Sequence, residues 1–181
     1  GIHALDKHDI KEEDGGTIIL QFTHRTETEL KEDDEHEANV KLQGKPAQVI
    51  KDYIEDNRIE KTDDYGRKPL ITTKEGRIST STLQKYAYKW TRPCTINSDG
   101  PEGHDLDDCP GKESAHDASK CSASRSPKQI RAGFVTAKAN ERVPLEDIGY
   151  RIGATPKTIK KHYDLPDTEE KRERHEPSMM D

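Results

Sequence analysis

Apolar residues recur along this chain in two rhythms, and each rhythm predicts an element. Thr17-Ile18-Ile19-Leu20-Gln21-Phe22 is β-branched and apolar, and Ala38-Asn39-Val40-Lys41-Leu42 alternates apolar with polar, so both predict strands. Gly15-Gly16 punctuates the chain before the first, and the acidic stretch between the two predicts an antiparallel hairpin with a solvated connection. Residues 3 to 9 carry too few periodic positions to predict a helix of their own. Pro46 opens a helix that places Val49, Ile50, Tyr53 and Ile54 on one face, and Thr62 to Arg67 breaks it. Leu70-Ile71-Thr72-Thr73 predicts a short strand and Gly76-Arg77 a turn. Ser79 to Ser81 then caps a helix running through Leu83, Tyr86, Ala87 and Trp90. Trp90, Tyr86 and Tyr53 are expected to be core aromatics.

The rhythm stops between residues 92 and 125, where Pro, Gly and all three Cys collect and apolar residues almost vanish. A segment of that length inside a compact domain implies a function, disorder or a bound ligand. It resumes at Pro127, which opens a helix carrying Ile130, Phe134, Val135 and Ala137. Pro144 opens the next, with Leu145, Ile148 and Ile152 on one face and Gly153 closing it. Thr155-Pro156 starts a short helix through Ile159 that ends near His162-Tyr163. The pattern predicts an α+β chain, mainly helical, with a small three-stranded antiparallel sheet near the N-terminus built from 17 to 22, 38 to 42 and 70 to 73. Residues 1–165 are expected to form one domain and 166–181 a charged tail, with Glu170 and Arg174 at helical spacing.

Composition narrows the picture. Of 181 residues, 29% are apolar and 36% charged, so the core must be small. A formal charge of −6 argues against binding nucleic acid through bulk charge but leaves room for a local basic face. Positive residues gather in Lys85 to Arg92, Lys120 to Arg131 and Arg151 to Lys161, while acids dominate Lys31 to Glu37 and Glu102 to Asp108. No apolar run approaches the roughly 20 residues that span a bilayer, and the start shows no signal-peptide pattern. These features predict a soluble, cytoplasmic protein with no membrane partner. Three Cys without regular disulfide spacing fit reduced thiols or metal ligands, and Cys94, His104, Cys109 and Cys121 could together hold a structural zinc.

The candidate chemistry lies in the last third of the chain. Arg131 carries an always-charged guanidinium suited to gripping a phosphate oxygen in two prongs, and the phenol of Tyr163 can attack a phosphate covalently. Arg25, beside His24 in the hairpin, Arg125 and Arg151 are further candidates for phosphate contact. His3, His8, His24, His36 and His116 lack partner spacing and are expected at the surface.

Six short segments, taken in order, carry a family resemblance. Ala4-Leu5-Asp6, His24-Arg25 with Leu30-Lys31, Asp63 to Arg67 with Pro69-Leu70, Thr91-Arg92-Pro93-Cys94, Ser124 to Arg131 and His162-Tyr163-Asp164 resemble the catalytic domain of tyrosine recombinases, the phage integrase family, and most closely an integrase-like branch found in halophilic archaea. The resemblance implies site-specific DNA recombination, or integration of a mobile element, through a 3′-phosphotyrosine intermediate, on double-stranded DNA, with self-association on DNA and no required cofactor. It implies Tyr163 as nucleophile, ten residues after Gly153, Arg131 as the arginine of His-x-x-Arg, and Lys31 as the acid that protonates the leaving oxygen. Lys128 stands at the histidine of His-x-x-Arg, and Ala154 stands where many relatives have a histidine that neighbouring His162 could replace in part. The first catalytic arginine of the family falls before Ala4, upstream of this chain's start, so activity is expected to be incomplete or weakened. The alternatives are a catalytically inactive DNA-binding remnant and a zinc-stabilised interaction module.

Overall fold

The computed structural model describes residues 1–29, 37–95, 101, 105, 107–163, 169 and 172. Two compact units divide the chain, Gly1–Thr80 and Ser81–Asp181, and each has its own apolar core. Among the described residues no helix is long and apolar enough to cross a membrane.

In the first unit, β1 (Ile10–Glu13), β2 (Thr17–Phe22) and β3 (Ala38–Leu42) form an antiparallel sheet in that order. Gly15 and Gly16 both take φ above 70°, the left-handed conformation that lets β1 turn directly into β2. Register sets Leu20 opposite both Ile10 and Val40, and Ile18 opposite Leu42, so one face of the sheet is apolar. That face packs with Leu5, Ala47, Leu70, Ile50 and Ile54. A fully buried side chain such as Ile18 contributes about 1.5–3 kcal/mol of hydrophobic stabilisation. Helix α1 (Lys45–Asp52) supplies Ala47 and Ile50 and ends in a wide turn, where the Arg58 N–H donates to the Tyr53 carbonyl at 2.7 Å.

The predicted strands 17–22 and 38–42 match β2 and β3 residue for residue. The third strand does not. It is Ile10–Glu13, whereas Thr72–Thr73 (β4) pairs with Gly76–Arg77 (β5) in a separate two-stranded ribbon. Gly76-Arg77 is therefore strand, and the turn falls on the two residues before it.

The second unit begins with α2 (Thr80–Thr91), in which no residue is fully buried. Leu83, Ala87, Tyr88 and Thr91 are among its half-buried residues, whereas Trp90 and Tyr86 are 58% and 43% exposed. The expectation that these two aromatics are core residues is thus overturned. Tyr53 is half-buried, and its hydroxyl accepts from the Thr72 N–H at 3.1 Å. Helices α3 (Pro127–Asn140), α4 (Leu145–Ile152) and α5 (Pro156–His162) close around Val135, Ala139, Ile148 and Ile159. Local chemistry sets their ends. Ser126 and Gln129 form a reciprocal capping box, Gly153 ends α4 in the left-handed region, and the Thr155 hydroxyl caps α5. Gly149 is required by close approach, because a Cβ there would collide with the Ala154 carbonyl.

Candidate functional site

The capped ends of α3, α4 and α5 bring together two residues that lie far apart in sequence. Arg131, one turn into α3, donates to the carbonyls of Ile152 and Gly153 at the end of α4. Its guanidinium carbon lies 4.8 Å from the centre of the Tyr163 ring, at the end of α5. Tyr163 is tied back through its own N–H to the Ile159 carbonyl at 2.9 Å. Arg131 Nε is buried and has no hydrogen-bond partner among the described residues. A guanidinium fixed by neutral carbonyls beside a phenol keeps its charge uncompensated by any carboxylate among the described residues, an arrangement suited to an anion.

The remaining predicted residues of this unit surround the pair by sequence and are mostly solvated. Lys128 and His162 are exposed, as are Arg151, Lys160 and Lys161. Arg125, also exposed, donates to the carbonyls of Ser122 and Ser124 at 3.0 Å, and its backbone N–H donates to the Thr91 hydroxyl at 2.8 Å. Lys31 and His104 lie outside the described residues, as does the Glu170–Arg174 pair.

Arg25 sits in the first unit and is already engaged. Both of its prongs reach Asp9, Nη1 at 3.0 Å, and it lies 3.7 Å from Asp6. The Asp9 hydrogen bond raises its already high pKa further. Arg67 and Arg77 join the same network through Asp6 and Asp63. Burial pushes the Asp63 carboxyl up, but hydrogen bonds from the Arg67 and Tyr65 N–H groups and the Arg77 guanidinium outweigh it and hold the group below its ordinary range. The Asp63-Asp64-Tyr65-Gly66-Arg67 stretch reads as a helix breaker in sequence; its Asp–Arg pairs four apart or opposite Arg77 were the available signal. Lys7, His8, Gly66, Arg67 and Lys68 line a shallow depression beside this network.

The cysteines do not converge as a trio. Cys109 and Cys121 are buried and touch, Cys94 is half-buried, and the three thiols do not all lie within 4.8 Å of one another. Among the described residues, the grouping of three potential metal ligands that does form is Asp6, His8 and Asp9. Arg25, Arg67 and Arg77 crowd those carboxylates, which makes the place hostile to a cation.

No protein-family model and no curated protein matches the sequence. Solved structures do. The chain is similar to the crystal structure of XerA recombinase, with a TM-score of 0.63 and 13% identity over 98% of this chain and 50% of that one. It is also similar to the Tn1549 transposon integrase in complex with circular intermediate DNA (TM-score 0.57, 12% identity, 98% of this chain and 54% of that one). A variant of that integrase in complex with transposon right-end DNA gives 0.55 at 12% identity, over 97% and 53%. The fold is that of the recombinase and integrase class, and the chain spans about half the length of the structures it matches.

Proposed function

We propose that this chain is a DNA strand-transfer domain of the tyrosine recombinase type, acting in site-specific recombination or integration. The observation that carries the reading is the Arg131 guanidinium held over the Tyr163 ring by three capped helices. The DNA-bound integrases of the same fold support duplex DNA as the partner.

Tyr163 Oη, on losing its proton, attacks the phosphorus of a backbone phosphate. A P–Oη bond forms, the P–O5′ bond breaks, and the departing 5′-oxygen takes up a proton. Arg131 stabilises the charge that grows on the non-bridging oxygens through its guanidinium, which two α4 carbonyls hold in place. Lys31 is the proton donor to the leaving oxygen by resemblance. Lys160 and Lys161, in the turn before Tyr163, and exposed Lys128 stand in the same unit as positive groups for the phosphate. Reversal of the attack by a 5′-hydroxyl rejoins DNA without a metal. Lys128, Arg125 and Arg151 contact backbone phosphates, and assembly with further copies on DNA completes the reaction.

The test is covalent capture on nicked duplexes that trap the cleaved strand. A denaturant-resistant protein–DNA adduct is expected, and Tyr163→Phe must abolish it while leaving DNA binding unchanged. Lys128 and Ala154, standing where this type of enzyme has histidines, favour a second reading, a domain that binds DNA without cutting it. In that case no adduct forms with either protein, and both bind with the same steep salt dependence.

A further inference from the structure

We propose that Cys109 and Cys121 are a disulfide-forming pair, an oxidisable clasp beneath the start of α3. The two thiols lie 12 positions apart in sequence, are 6% and 2% exposed, and hydrogen-bond each other. Gly111 packs so tightly on Cys121 that an added Cβ would come within 2.6 Å of the cysteine Cβ. Among the described residues Cys109, Cys121 and Ala123 form one small buried cluster of this segment.

What else holds it is Arg92. It is 6% exposed and donates to the carbonyls of Gly111, Lys112 and Ser114, and among the described residues no carboxylate pairs with it. The thiolate is the form that attacks a disulfide. Burial, the largest influence, and the neighbouring Cys121 thiol raise the Cys109 thiol above its ordinary range, and the Gly111 N–H and Arg92 offset only part of that, so the attacking thiolate is the minor form and the exchange is slow. Among the described residues Cys94 does not complete a group of three metal ligands with this pair within 4.8 Å, and His104 lies outside them.

The oxidant is a small-molecule disulfide such as glutathione disulfide. The Cys109 thiolate attacks one of its sulfurs and expels one small thiolate; Cys121, giving its proton to solvent, then attacks the Cys109 sulfur and expels the second. Two protein S–H groups become one S–S bond, and the small disulfide is reduced to two thiols. The bond fixes the backbone from which Ser124 takes its support, since the Ser124 N–H and hydroxyl both donate to the Cys121 carbonyl. Arg125 and the Ser126 cap follow directly.

The experiment uses the full chain carrying Cys94→Ser, equilibrated with glutathione disulfide, followed by thiol blocking and intact mass. Expected is a mass lower by two hydrogens with no blocked thiol and no glutathione adduct. Tryptic cuts at exposed Lys112 or Lys120, between the two cysteines, should leave fragments that part only on reduction. Cutting there should slow by about tenfold on oxidation, because the closed loop restricts local opening. Cys109→Ser and Cys121→Ser must each abolish the bridge, and Gly111→Ala must lower its yield by displacing Cys121. A stable single-glutathione adduct, two thiols still blockable at saturating oxidant, or an unchanged yield in Gly111→Ala would overturn the proposal. So would one tightly bound zinc per chain that prevents bridging. Thiol-blocking kinetics on the unsubstituted protein give a second check, with Cys94 expected to react before either buried thiol.

Discussion

The arginines of the first unit and those of the second have opposite fates. Arg25, Arg67 and Arg77 converge on Asp6, Asp9 and Asp63, three positive groups spent on three negative ones. Arg131 meets carbonyl oxygens and an aromatic face, and no carboxylate pairs with it among the described residues. A guanidinium already neutralised by buried carboxylates is scaffolding, whereas one positioned by neutral groups keeps its charge for an incoming anion. The partner decides the role, and the residue type alone does not.

The comparison can be broken most sharply at its buried end. Asp6→Ala strips the central carboxylate from three arginines, and loss of one member of a buried ion network costs about 3–5 kcal/mol. Denaturant unfolding should therefore show severe loss of stability in Asp6→Ala. At the other end, Arg131→Ala should lower the rate of covalent capture by roughly a hundredfold or more, the worth of one transition-state donor, with a smaller effect on DNA affinity. If Arg25→Ala cut the rate as deeply as Arg131→Ala while leaving the fold intact, the contrast between the two units would be lost.

Gly149→Ala forces a Cβ onto the Ala154 carbonyl and should destabilise the α4–α5 corner by about 1–3 kcal/mol; melting temperature and capture rate should fall together. Acid provides a gentler probe. Asp63 has a lowered folded-state pKa, so its stabilisation is fully present above the unfolded value near pH 4 and is lost as pH falls through the lowered one. Asp63→Asn should flatten that part of the stability–pH curve. Smallest of all, Trp90→Ala should change stability by less than about 0.5 kcal/mol, because the ring is exposed, with the Lys89 ammonium 4.7 Å from its centre.

These contrasts mark how far sequence reading reaches. Strands β2 and β3 and helices α3 to α5 were legible because β-branched runs, Pro at helix starts, Ser126 and Thr155 caps and Gly153 are local signals. Strand β1 was not, since Ile10-Lys11-Glu12-Glu13 carries one apolar residue and forms a charged sheet edge exposed along most of its length. The short strand at Thr72 was placed in the larger sheet because apolar content cannot say which strand is the partner. Trp90 and Tyr86 were misjudged for a related reason. Helical spacing identifies a face, but on α2 Leu83, Ala87 and Tyr88 are half-buried while Tyr86 and Trp90 stay exposed. The pairing of Arg131 with Tyr163 followed from helix ends that could be read, whereas the engagement of Arg25 depended on Asp9, 16 positions away, with no local sign.

Helix α5 sets a limit of another kind. It has seven residues, one of them buried, Ile159, and a single hydroxyl cap. Helices shorter than about 12–15 residues are marginal on their own, so α5 depends on docking through Ile159. The placement of Tyr163 beside Arg131 therefore rests on how fully α5 docks. Its effective concentration at a phosphate is the docked fraction multiplied by the fit of that state. In the proposed reaction, Ile159→Ala should slow covalent capture through the position of Tyr163 and leave its phenol unchanged.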